Sequence, residues 1–98
     1  MATFVTLITE TQRGEEQIRD TTARAARFRD KAKEFGVTVR EQFWTMGAYD
    51  GVVIFDAPDD ETASALLLHL ASRGSVRTQT LRAFDAAAME KIVKRTGG

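Results

Sequence analysis

An α+β sandwich, with one antiparallel sheet and helices packed on one side of it, is the fold class this sequence predicts. Three observations predict it. Four runs rich in β-branched and aromatic residues stand at 3–9, 37–45, 51–56 and 76–84. Stretches with apolar residues at helical spacing separate the first run from the second and the third from the fourth. Only residues 46–50 part the second run from the third, and the turn Gly47-Ala48-Tyr49-Asp50 is short enough to force an antiparallel hairpin.

The elements follow in order. Residues 3–9 alternate Thr with Phe, Val, Leu and Ile and form the first strand. From about Gln12 to Phe35 the chain is helical, with Ile18, Ala25, Phe28, Ala32 and Phe35 on one side and charges such as Arg24, Arg27, Lys31 and Glu34 filling much of the rest. Asp20, Thr21 or Thr22 can cap the main helix, leaving 12–19 as a separate turn or an early extension. Gly36 stops it, since glycine takes the left-handed conformation without steric cost. Val37–Thr45 and Gly51–Asp56 are the hairpin strands. The second helix starts in Ala57-Pro58-Asp59-Asp60-Glu61, with Asp59 as cap and acidic residues at the positive end of the helix dipole. Ala63, Leu66, Leu67, Leu70 and Ala71 form its buried stripe, and Gly74 ends it. Val76–Phe84 is the fourth strand. Asp85 to about Arg95 is a terminal helix whose Met89, Ile92 and Val93 are expected to face inward. The order β-α-β-β-α-β with an added helix is that of a ferredoxin-like sandwich.

Composition bounds the function. The 98 residues are expected to form one domain over 1–98. Fourteen basic residues balance fourteen acidic ones, so no charge excess draws the chain to nucleic acid or to an anionic membrane. The absence of cysteine excludes disulfides, thiolate ligands and a cysteine nucleophile. The apolar N-terminal run is short, alternates with threonine and lacks a basic leader, so it is read as a strand and a cytoplasmic protein is expected.

The hairpin bears on assembly. With residues 47–50 as the turn, Trp44 faces Val53, Phe43 faces Ile54 and Gln42 faces Phe55. Directly opposed residues share a side. One face then carries Trp44, Val53 and Phe55, and the other Val37, Val39, Phe43, Val52 and Ile54. Helices cover only one of these apolar faces, so a homodimer pairing the open faces into an α/β barrel is expected.

The run Trp44-Thr45-Met46-Gly47-Ala48-Tyr49-Asp50 resembles the signature of the GYD domain family of bacterial proteins, with Ala48 between its glycine and tyrosine. The similarity continues through Gly51-Val52-Val53-Ile54-Phe55-Asp56-Ala57-Pro58-Asp59 and returns at Val76-Arg77-Thr78-Gln79-Thr80-Leu81-Arg82-Ala83-Phe84. The resemblance implies a dimeric α/β barrel, a group holding small monooxygenases, isomerases, haem-degrading enzymes and ligand binders. It implies no reaction.

Four residues are candidates for binding a small molecule: Trp44, Tyr49, Asp50 and Arg82. Asp50 either accepts hydrogen bonds from turn amides while Tyr49 covers the hairpin end, or the two bracket a ligand group as base and donor. Trp44 is a core or interface ring, or else a stacking wall. The fork of Arg82 matches a carboxylate or phosphate. Glu41 and Asp56 are expected to lie opposite each other, solvated or paired with Arg40, Arg77 or Arg82. His69, the only histidine, falls at the edge of its helix stripe and lacks the spacing of a metal motif. No metal and no cofactor is expected. A small homodimeric binding or assembly protein is the primary expectation. A cofactor-independent enzyme on an apolar substrate and a regulatory partner-binding module are the alternatives.

Overall fold

The structure, a computed structural model, describes residues 1–97. Its elements are β1 (Ala2–Glu10), α1 (Gln12–Glu16), a 3-10 turn (Ile18–Asp20), α2 (Thr21–Glu34), β2 (Thr38–Trp44), β3 (Gly51–Ala57), α3 (Asp60–Ser72), β4 (Val76–Ala83) and α4 (Ala86–Lys94). The four strands form one antiparallel sheet in the order β2-β3-β1-β4. The crossover from β1 to β2 carries α2, and the one from β3 to β4 carries α3. This is the ferredoxin-like α+β arrangement.

The helical stretch from Gln12 onward is split. Thr11 caps α1 by accepting from the Gly14 amide at 3.2 Å, and its own amide donates to the Ser75 carbonyl at 3.0 Å. A Cβ at position 14 would lie 2.1 Å from that carbonyl oxygen, so only glycine lets α1 sit against the start of β4. Asp20 occupies the cap position of α2 but makes no side-chain cap bond. Gly36, at φ +75°, closes α2: its amide donates to the Lys33 carbonyl and that of Val37 to the Ala32 carbonyl, a Schellman ending. Asp59 caps α3 by accepting from the Thr62 amide at 2.7 Å.

The core lies between the sheet and α2 with α3. Phe4 stacks on its register partner Phe55 at 5.4 Å between centroids, and Phe28, Ala32, Val37, Val53, Ala63 and Leu66 close around them. Thr6, also buried, meets the Thr80 hydroxyl at 2.9 Å across β1 and β4.

The hairpin differs from the expected register. Trp44 opposes Gly51, Phe43 opposes Val52 and Gln42 opposes Val53, and the pairing slips between Val39 and Glu41. The loop therefore spans 45–50, tied by the Thr45 amide to the Asp50 carbonyl and by the Thr45 hydroxyl to the Tyr49 carbonyl. The slip at Arg40 is a bulge, which inverts the side on which earlier residues fall. It turns Val39 onto the side of Phe55, and Val37 is buried in the core, instead of both joining Phe43 and Ile54. The shifted register between Glu41 and Trp44 separates Glu41, now opposite Ile54, from Asp56, which opposes Thr38 and accepts from the Thr3 hydroxyl while pairing with Arg40 at 3.7 Å.

The terminal helix is a second correction. Met89, Ile92 and Val93 do not face inward: they are 47%, 36% and 52% exposed, and α4 makes at most marginal contact with the described elements. Asp85 starts the helix by capping the Ala88 amide, but no neighbouring surface lies beneath the stripe.

Truncating the central ring tests the core. Phe55→Ala should lose about 3–5 kcal/mol in a urea titration, since Phe55 is fully buried. A second test uses pH. Thr62, through its side chain and then its backbone amide, holds the Asp59 carboxyl below its ordinary value of 3.8. Its contribution is complete above that value and is lost as pH falls through the lower folded one. Asp59→Asn should therefore flatten the loss of stability below about pH 4.

Candidate functional site

Two surfaces stand out. The first is the sheet face away from the helices. Val5 and Leu7 of β1, Val52 and Ile54 of β3, Phe43 of β2 and Leu81 of β4 share it by register, and all are half-buried or exposed. Thr3, Asp56, Glu41 and Arg77 ring these apolar residues. The chain exposes 6708 Å², whereas a folded monomer of this mass is expected to expose roughly 5,600 Å². Its radius of gyration is 14.9 Å against about 13 Å for a compact chain of this length. Both departures follow from a two-layer slab with α4 standing clear.

The second surface is a cleft of about 450 Å³ on the helical side, between α2 and α3 at the end of the sheet. Ile8, Val53, Phe28 and Leu70 supply apolar lining, and Trp44 lines one side. The Trp44 indole donates to the Thr21 hydroxyl at 2.9 Å, which fixes the ring, and its residue is 52% exposed. Trp44 is thus a wall at the cleft and not a core ring, because its partner on β3 is Gly51, which offers no side chain to pack on. Beside it, Glu10, Glu15, Ile18, Trp44, Thr45 and Asp50 line a recess of about 270 Å³.

The structure brings Trp44 and Asp50 to one cleft and places Tyr49 and Arg82 elsewhere. The Asp50 carboxylate accepts from the Glu10 amide at 2.8 Å, and the Asp50 amide donates to the Ile8 carbonyl at 2.8 Å, so Asp50 carries the β1–β3 pairing past Gly51. The Tyr49 hydroxyl meets the side-chain oxygen of Gln79, the β4 residue opposite Leu7, at 3.1 Å, which places the ring on the open face. Arg82 lies at the other end of β4, where its guanidinium sits 4.6 Å from the Phe84 ring centroid and 5.5 Å from that of Phe4 and donates to the carbonyls of Thr3 and Ala83. His69 lies 6.2 Å from the Phe35 ring, and no group of three His, Asp or Glu able to hold a metal occurs among the described residues.

The sequence reasoning missed one pair. Glu10 and Arg24 meet at 3.3 Å with side chains only 9% and 18% exposed. A signal was available: Glu10 continues the inward positions of Phe4, Thr6 and Ile8, and Arg24 stands four residues before Phe28 on the buried stripe of α2. Two opposite charges on core positions point to a pair.

A family model described as GYD domain matches residues 4–93. The chain belongs to the GYD domain family. A glutamine synthetase and cystathionine beta-lyase binding protein from Thermus thermophilus is 40% identical over 88 residues, covering 89% of this chain and 93% of that protein. No solved structure matches at a significant level. This GYD protein has no helix, among the described residues, that is long and apolar enough to cross a membrane.

Truncation separates the wall from the core. Trp44→Ala should cost about 1–2 kcal/mol in urea, below the roughly 3–5 kcal/mol expected for a fully buried ring. A loss in the higher range would show that Trp44 is buried in solution.

Proposed function

We propose that this GYD protein is a binding protein that pairs with a second copy through its open sheet face and docks on enzymes of amino-acid metabolism. The uncovered apolar face carries the proposal. Water excluded from Val5, Leu7, Phe43, Val52, Ile54 and Leu81 supplies the driving force. Antiparallel sheets tolerate one solvated face, but a solvated face normally alternates to polar residues, whereas the two central strands here put Val5, Leu7, Val52 and Ile54 on it. A two-fold axis through the face makes it self-complementary. The outward stripes of the terminal helices and the hairpin loops then remain free for other proteins. The partner class rests on the Thermus relative, whose name states that it binds glutamine synthetase and cystathionine beta-lyase. A cytoplasmic setting goes with this proposal.

Light scattering on a size-exclusion column should give twice the chain mass at micromolar concentration. Ile54→Arg, on the open face, should give a monomer that still folds, whereas Val53→Arg, on the helical face, should unfold the core. Interferometry with purified glutamine synthetase and cystathionine beta-lyase should detect saturable binding to at least one. A monomeric wild type would overturn the pairing, and no binding to either enzyme would overturn the partner class.

A further inference from the structure

The buried pair at the edge of the cleft is incompletely satisfied. Arg24 offers five N–H donors, of which a carboxylate can take two. Its Nη1 and Nη2 reach the two Glu10 oxygens at 3.4 and 3.3 Å, and Nη2 also points to the Gly14 and Gln17 carbonyls at 3.4 and 3.5 Å. Charge-assisted bonds of this type ordinarily close to about 2.7–2.9 Å. The Nε–H is buried and has no partner. Buried donors are normally paired, and one left over in a cleft is an unmade contact.

The surroundings give that contact a chemistry. The pair is built into the fold: a Cβ on Gly14 would fall 2.3 Å from the Glu10 carboxylate, so the chain keeps glycine where α1 crosses it. Phe28, Ile8 and Val53 lie along the same cleft, and the indole of Trp44, held by Thr21, forms one wall. Five cationic and four anionic side chains line the cleft, and Arg13, Arg27 and Arg73 among them form no ion pair with the described residues. An apolar lining, an aromatic wall and spare guanidinium donors match an organic acid with an apolar body.

We propose that the cleft between α2 and α3 binds a small apolar carboxylate, whose oxygens accept from Arg24 while its body lies against Phe28 and Trp44. The carboxylate enters as a further acceptor beside Glu10, on the edge of the guanidinium that carries the unpartnered Nε–H. This site lies on the opposite side of the sheet from the open face, so it is complete in one copy and does not depend on self-pairing.

Trp44, the only tryptophan, is the reporter. Its emission should change saturably with 3-phenylpropionate, with at least tenfold weaker binding of 3-phenylpropan-1-ol and of 3-phenylpropylamine. In the folded Arg24→Gln, Glu10→Gln double variant, which leaves no buried charge unpaired, that preference should disappear. Should the double variant not fold, NMR on the wild type decides: the Arg24 Nε–H resonance should move as the carboxylate saturates. Equal binding of the three probes, no saturable response to any, a preference that survives in the folded variant, or an unmoved Nε–H at saturation would each overturn the proposal.

Discussion

Burial of one side of a four-stranded sheet is the constraint on which the rest of this molecule depends. Phe4 and Phe55 stack as register partners at its centre, and Leu66 and Phe28 bring a helix down on them from each crossover. Because β1 pairs with both β3 and β4, any slip along it would move Phe4, Thr6 and Ile8 together to the other side. The stack therefore sets register as well as stability. It also decides which apolar face is spent on the core and which is left for another molecule.

The ends of the sheet show what that constraint permits. At one end Arg82 closes the core edge by lying on the rings of Phe4 and Phe84 while donating to backbone carbonyls. At the other end no equivalent lid exists. There a cleft remains between α2 and α3, lined by charged groups together with Ile8, Val53 and Leu70. Glu10 and Arg24 occupy positions that would carry apolar side chains in a closed sandwich. A charge pair there gives up hydrophobic packing and keeps a polar group available within the structure.

The hairpin shows how local signals can fix an element yet misplace its faces. The strand-rich runs and the short Gly-containing connection make β2 and β3 readable, and the antiparallel pairing follows from the length of the loop. The bulge at Arg40 is not readable in the same way. It arises where Val37 must enter the core while Phe43 stays outside, a requirement imposed by α2 and not by the strand itself. The Trp44-to-Val53 alignment fails for a related reason. The loop keeps Asp50 with β1, so the hairpin closes at Trp44 and Gly51, two residues earlier on β3. As for the candidate residues, Tyr49 and Asp50 are neighbours in sequence but turn to different partners, Gln79 and Glu10.

By itself the sequence determined the element order, the helix stops at Gly36 and Gly74, the cap at Asp59 and the α+β class. Each of these follows from periodicity or from backbone preference within a few residues. Membership of the GYD family was legible in the same local way, from the run around Tyr49 and Asp50. Tertiary structure alone decided which sheet face is covered, that Val37 is core, that Arg82 stands apart from Trp44, and that the apolar stripe of α4 stays exposed. These depend on contacts between residues far apart in the chain, such as Arg24 with Glu10 or Arg82 with Phe4. No local pattern encodes such contacts, because their energy exists only once the two segments have been brought together.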